Sequence, residues 1–277
     1  MKIKVIKILS IILLLMMSAC SKEKEDPWQI PPGATYTFNP FTEGDLTTVD
    51  PVYVLAINDI QYSRYFHRPD NPRLVENPND ITVIVNHFHA LSNDYEPDDL
   101  VYLTDYDIPV TTNNHRLRIE AAEALETMFK FAKEQGHTLI AASTYRSYTT
   151  QQNLYNNYSA VHGELRANTF SAKPGQSEHQ LGLAVDISSS QFQGMITARI
   201  GNSLEGKWVQ DNSHYFGYIV RYTAGKQHIT GYIDEPWHLR YVGIELAKAL
   251  YDCKCTLEEY YYSHTYYNIY QERLIQP

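Results

Sequence analysis

Two histidines, an aspartate and a glutamate stand at spacings that suit hydrolytic metal chemistry. The first pair lies in "SEHQLGLAVDIS", residues 177–188, where His179 precedes a short apolar run and Asp186 falls near its end. A carboxylate taken out of water is costly unless something pairs with it, so Asp186 needs a partner. Strand side chains alternate between faces. If residues 181–187 form a strand, Leu181, Leu183, Val185 and Ile187 share a core face, and Gly182, Ala184 and Asp186 share the other. The small residues leave open space around the carboxylate, and His179 can fold over it. The third candidate comes from "DEPWHLRYVG", residues 234–243. There His238 and Arg240 share one face of a short strand, Pro236 stiffens the approach, and Glu235 stands three residues before His238. Two histidines and one aspartate make a three-ligand catalytic zinc set with a fourth position left for water. A glutamate outside that set is the usual base for that water.

These residues carry a family resemblance. "SEHQLGLAVDIS" resembles the SxHxxGxAxD motif of the zinc D-Ala-D-Ala carboxypeptidases, the VanY-like branch of peptidase family M15. "EPWHLRYVG" resembles their second motif, and "STYRSYTTQQ", residues 143–152, resembles an SGYRS motif followed by a glutamine. The resemblance spans roughly residues 81–261. It implies a hedgehog/DD-peptidase-like α+β fold, a small antiparallel sheet flanked by helices. It also implies zinc held by His179, Asp186 and His238, with Glu235 as general base and later acid. Arg146 would steady the developing oxyanion or hold the substrate carboxylate, and Ser177 and Gln152 would touch the substrate peptide. The implied activity is removal of a terminal D-alanine from peptidoglycan stem peptides, D,D- or L,D-specific. A cross-bridge endopeptidase and a non-catalytic wall-binding lipoprotein are the alternatives. Two positions depart from the family pattern: Thr144 replaces the glycine of SGYRS, and His228 stands where an acid is expected.

Other groups invite weaker readings. His87 and His89 in "HFH" have the spacing of a metal pair on a strand but no third ligand nearby. His214 is a candidate for lining the pocket and Trp208 and Trp237 for walling the groove, with core packing as the plainer role of each, and Arg240 reads as a structural pairing residue. Cys253 and Cys255 are too close in sequence to be expected to bridge, given the demands of disulfide geometry. Short strands mixed with helices, without a regular βαβ alternation, suggest an α+β domain on their own account. The clearest helix covers residues 115–137. Leu117, Ala121, Leu125, Met128 and Ala132 fall on one face, with Asn113 or Asn114 as cap and Gly136 as terminator. Strands are expected in "TLIAAST", "YFGYIVRY" and "PWHLRYV", and helices in "GIELAKALYD" and "LEEYYY".

The remaining features concern location. A formal charge of -9 over 277 residues argues against a nucleic-acid partner, which needs a basic patch or stripe. Residues 1–19 carry Lys2, Lys4 and Lys7, an apolar run and then small residues, the pattern of a secretory signal. "MSAC" resembles a bacterial lipobox with Cys20 as the lipidated residue. Loss of residues 1–19 removes three lysines and no acid and takes the charge to -12. Residues 20–50 are polar with proline and glycine and read as a flexible tether. Residues 51–80 read as an irregular extension, and residues 81–277 as the zinc domain. The expected location is the extracytoplasmic face of the cell membrane, lipid-anchored. Cys20→Ser should move the protein from the membrane pellet to the soluble extracytoplasmic fraction. Equal membrane retention would exclude a lipid anchor at this position.

Overall fold

The computed structural model describes residues 72–261. The expected signal, lipidation site and tether lie outside the described residues. The elements that position the candidate site are four strands and two helices. Strands β5 (Leu139–Ser143), β6 (Ala184–Ser189), β7 (Tyr218–Tyr222) and β8 (Glu235–Tyr241) form an antiparallel sheet in the order β5-β6-β8-β7. Four short strands precede it among residues 72–118: β1 (Arg73–Leu74) pairs in parallel with β2 (His89–Ala90), and β3 (Leu100–Tyr102) pairs antiparallel with β4 (Arg116–Arg118). Residues 73–80, expected in the extension, are thus joined to the domain by β1.

Helix α1 (Ile119–Glu134) supplies the main apolar face. Leu117, Ala121, Leu125, Met128 and Ala132 are all fully buried, as their spacing requires, and pack with Leu139, Val185, Ile187 and Leu239 of the sheet. The helix starts later than the sequence suggested. Residues 116–118 are spent on pairing with β3, so Arg118 takes the cap position without a side-chain cap, and Asn113 and Asn114 precede β4. Tertiary pairing has overridden helical periodicity here. The far end is as expected, with Gly136 at φ 88. Helix α2 (Tyr148–His162) begins at Ser147, whose hydroxyl accepts from the Thr150 N–H at 3.2 Å.

The "SEHQLGLAVDIS" segment also differs in detail. Residues Glu178–Leu181 form one 3-10 turn, Gly182 takes a left-handed conformation at φ 67, and the strand starts only at Ala184. The alternation holds from there: Val185 and Ile187 enter the core, and Asp186 faces the other side with Ala184. Residues 81–88, for all their β-branched content, stay largely irregular.

Proline in a central strand would ordinarily break the ladder, since it has no N–H to donate. Here Pro236 sits where the β7–β8 register shifts, between the pairs Val220↔Leu239 and Tyr222↔Glu235, and β6 meets β8 only from His238 onward. No ladder bond is asked of it.

Helix α3 (Glu164–Phe170), helix α4 (Leu204–Asn212) and the single turn α5 (Gln227–Thr230) connect the strands, and α6 (Ile244–Cys253) follows β8. Contrary to expectation, Cys253 and Cys255 are joined as a disulfide. Lys254 between them takes φ 55 at the end of α6, which turns both cysteines to one side with their Cα atoms 5.2 Å apart. A helix would turn the two side chains apart, and an extended strand would keep them on one side but with Cα atoms about 6.6 Å apart, at the edge of what a disulfide spans. A second helix occupies 257–261, as "LEEYYY" suggests.

Gly182 is where the backbone leaves least freedom. A Cβ there would stand 2.7 Å from Leu100 Cδ2 and 3.1 Å from Arg118 Cγ, on top of the left-handed φ. Gly182→Ala should therefore lower the unfolding free energy by about 1–2 kcal/mol from the backbone penalty alone, measured by urea denaturation. An unchanged midpoint would contradict the account.

Candidate metal centre

The sheet brings Asp186 and His238 directly opposite each other on β6 and β8. His179 enters from the 3-10 turn just before β6, its ring 4.9 Å from that of His238 and at 76° to it. One side-chain ligand atom from each of the three lies within 4.8 Å of the others, and all three residues are buried. Among the described residues this is the only such group of histidine, cysteine and acid side chains.

Hydrogen bonding assigns the ring nitrogens. His179 Nδ1 donates to the Thr144 carbonyl at 2.7 Å, which leaves Nε2 bare. That Nε2 is buried, has no hydrogen bond, and faces Asp186 Oδ1 at 3.4 Å. A lone pair aimed at a carboxylate oxygen inside a protein calls for a cation between them. His238 presents Nδ1 to the same oxygen at 3.1 Å and Nε2 to Glu178 Oε2 at 3.3 Å. The donor set, two imidazoles and a carboxylate, matches a catalytic zinc site, and the orphaned Nε2 shows that these residues fit the metal.

Arg146 follows β5, close to the bulge between Ala141 and Ser143, a device that commonly re-aims side chains beside active sites. Its Nη1 donates to Ser143 Oγ at 2.7 Å and to Asp186 Oδ2 at 3.4 Å, and its Nε to Gln151 Oε1 at 3.1 Å. These contacts leave Nη2 uncommitted. The glutamine is a correction: Gln151 is buried and holds Arg146, with its amide donating to the Ala172 carbonyl at 2.8 Å, whereas Gln152 is exposed. The register of the helix, fixed by the Ser147 cap, decides which of the two adjacent glutamines turns inward. Ser177 is buried at the cap of the 3-10 turn, two residues before His179. Thr144, in place of the family glycine, uses its hydroxyl to accept from the Arg116 N–H at 3.0 Å and its carbonyl to orient His179.

Glu235 opens β8, with Oε2 4.0 Å from His238 Nδ1, near the ligand atoms but outside the ligand set. Burial pushes its carboxyl up to about 8, against the pull of His238. Burial also favours the neutral form of Asp186, yet its contacts with His179 and His238 outweigh this and hold it well below the usual carboxylate range. Burial, helped by the charge of Arg146, lowers His179 to about 4. For His238 burial pulls down, but its hydrogen bonds to Asp186 and Glu178 lift it to about 9.

The other sequence candidates separate cleanly. His87 lies against Gly231 O and stacks on Tyr232, His89 bonds to Asn86, and neither joins a metal group. His214 stacks on Tyr251, and Trp208 packs with Phe131 and donates to Gln135. Arg240 is fully buried in structural pairing, as expected. Glu178, Arg221 and Glu258 were not anticipated. The signal was present in "YIVRY", where an arginine inside an apolar strand demands a buried acid.

Comparison with known proteins agrees with this geometry. The family model described as VanY, D-alanyl-D-alanine carboxypeptidase, matches residues 114–244. A Bacillus subtilis (strain 168) protein named "Putative carboxypeptidase YodJ" is 43% identical over 202 residues, 73% of this chain and 74% of that one. The chain belongs to the VanY family. Among solved structures, the LdcB LD-carboxypeptidase, described with its peptidoglycan recognition, is 44% identical with a TM-score of 0.65, covering 70% of this chain and 91% of that one. A VanY D,D-pentapeptidase mutant from the VanB-type resistance cassette, in complex with Zn(II), is 33% identical with a TM-score of 0.53, covering 65% and 97%. The resemblance read from the motifs is therefore correct at the level of family and fold.

The ring assignments fix a pH dependence. His238 must give up its Nδ1 proton to bind a metal, while His179 is already neutral and Asp186 already ionised. Because the His238 pKa is raised to about 9, zinc affinity should climb roughly tenfold per pH unit through neutral pH and level off above about 9. Chelator-competition titrations across that range check the slope. A flat profile between pH 7 and 8.5 would contradict it.

Proposed function

We propose that this protein is a zinc-dependent carboxypeptidase that removes the terminal D-alanine from peptidoglycan stem peptides. The observation that carries the reading is the buried His179–Asp186–His238 cluster with Glu235 alongside and Arg146 reaching in from β5. Relatives of the same family and fold are carboxypeptidases of this kind, one of them solved with zinc.

His179, Asp186 and His238 would hold the zinc, which would supply Lewis acidity to water and to the scissile carbonyl. The chain supplies the rest. Glu235, its pKa raised close to neutrality, takes a proton from the attacking water and returns it to the leaving amine nitrogen, the behaviour required of a general base that becomes a general acid. Arg146 is held on one side by Ser143, Gln151 and Asp186, so its free Nη2 offers a preorganised donor to the substrate's terminal carboxylate or to the developing oxyanion. Gln151 acts on the substrate through Arg146. Ser177 offers a neutral hydrogen bond to the peptide.

Between the two bond types we favour the L,D reading, a tetrapeptide stem ending in D-alanine. The greater likeness to the LD-carboxypeptidase than to the D,D-pentapeptidase supports it, in identity and in TM-score. The sequence of residues 1–50 supports a secreted, lipid-anchored protein whose tether sets the domain, residues 81–277 with the strand at 73–74, beside the wall.

Glu235→Gln keeps size and hydrogen bonding but cannot take a proton. It should keep full zinc occupancy by metal analysis and lose at least about a hundredfold in turnover. Mass spectrometry of stem digests tests the substrate. Loss of one alanine from the tetrapeptide, and none from the same stem with an amidated C-terminus, is the expected pattern. Equal cleavage of the amidated stem would favour an endopeptidase, and cleavage of pentapeptide alone would overturn the L,D preference.

A further inference from the structure

Glu178 stands one residue before the ligand His179, yet its contacts lead to the other histidine. Its side chain is fully buried. Oε1 accepts from Arg221 Nε at 2.8 Å and from Arg240 Nη1 at 2.9 Å, and Oε2 faces His238 Nε2 at 3.3 Å. Arg240 spends its other donors on the carbonyls of Ile81, Val83 and Tyr241. Arg221 is gripped from its far side by Glu258 through two parallel bonds, Nη1 to Oε2 at 2.8 Å and Nη2 to Oε1 at 2.6 Å.

Glu258 belongs to the helix at 257–261, outside the residues matched by the family model. Its first turn is locked by a reciprocal cap: the Thr256 N–H donates to Glu259 at 2.7 Å and the Glu259 N–H to Thr256 Oγ1 at 3.2 Å. A chain of charge-assisted bonds thus runs from this helix through Arg221 and Glu178 to His238.

Two consequences follow for the imidazole. With Nδ1 turned toward Asp186, Nε2 is the nitrogen that carries a proton when a metal is bound, and Glu178 is the acceptor for it. A charged acceptor fixes the ring's rotation and makes the opposite nitrogen a stronger ligand. Two arginines on Oε1 keep Glu178 ionised and immobile, and the bidentate Glu258 keeps Arg221 from swinging away.

We propose that Glu178 is a positioning residue for the zinc ligand His238, and that the helix at 257–261 is part of the metal centre through the Glu258–Arg221 pair. This rests on the reading of His238 as a ligand, so the experiment measures zinc binding in the full chain and not turnover.

Zinc affinity is measured by chelator competition for the wild type, Glu178→Gln and Glu258→Gln, with thermal melting of each metal-free protein as the check on folding. Cobalt is used in parallel, because its visible bands report ligand geometry. Glu178→Gln should bind zinc about 10- to 100-fold more weakly and shift the cobalt bands. Glu258→Gln, which leaves Arg221 with Glu178 and with an amide oxygen, should fold and weaken zinc several-fold. A folded Glu178→Gln with wild-type affinity overturns the role of Glu178. Unchanged affinity in Glu258→Gln overturns the link to the C-terminal helix, and decides the matter if Glu178→Gln does not fold. A wild type that binds no zinc would sink the ligand reading itself.

Discussion

Asp186 is held out of water with one carboxylate oxygen 3.1 Å from His238 and the other 3.4 Å from Arg146. An ion in that position costs several kcal/mol unless charge and hydrogen bonds answer it. Much of the architecture consists of those answers. The central strands β6 and β8 pair so that His238 meets Asp186 across the ladder. The bulge in β5 lies beside the residues that bring Arg146 over the end of the strand. The 3-10 turn closed by Gly182 brings His179 back onto the same carboxylate. Behind these lies a second layer, in which Glu178 answers His238 and is answered by Arg221 and Arg240.

The opposing environments of the two acids are what make the site chemical and not merely structural. Asp186 sits among cations and hydrogen-bond donors, so it stays ionised. Glu235, four ångströms from the same histidine, has burial without an equivalent partner, and its proton affinity rises toward neutrality. One carboxylate is thereby kept fit to hold a metal and the other to carry a proton. Their difference comes from where β8 begins and which residues it faces.

How much of this was legible depended on whether the signal was local. The alternation in "AVDIS", the pairing of "EPWH" with it in chemistry, and the apolar face of α1 are written within single elements, and they pointed to the candidate metal cluster, the fold class and most of the core. Features set by contacts distant in the chain were not legible. The start of α1 was decided by the pairing of residues 116–118 with β3. The choice of Gln151 over Gln152 was decided by helix register. The disulfide at Cys253 and Cys255 was decided by one left-handed residue. Glu178 was overlooked because its partners lie 43 to 62 residues away in sequence and because the adjacent His179 already explained the motif.

The three candidate ligands lie on two neighbouring strands and the turn before one of them, and that arrangement has a thermodynamic meaning beyond chemistry. β6 and β8 are separated by some fifty residues of chain, and their shared ladder is short, from Ala184↔Arg240 to Asp186↔His238. An ion gripping both strands at the end of that ladder acts as a cross-link that only the folded state can make. Its binding energy is therefore folding energy, scaling with the logarithm of free metal over the dissociation constant. Catalytic competence and conformational persistence would therefore rise and fall together with free metal. Starving such a protein of metal would silence it and also open the central seam of its sheet to proteolysis.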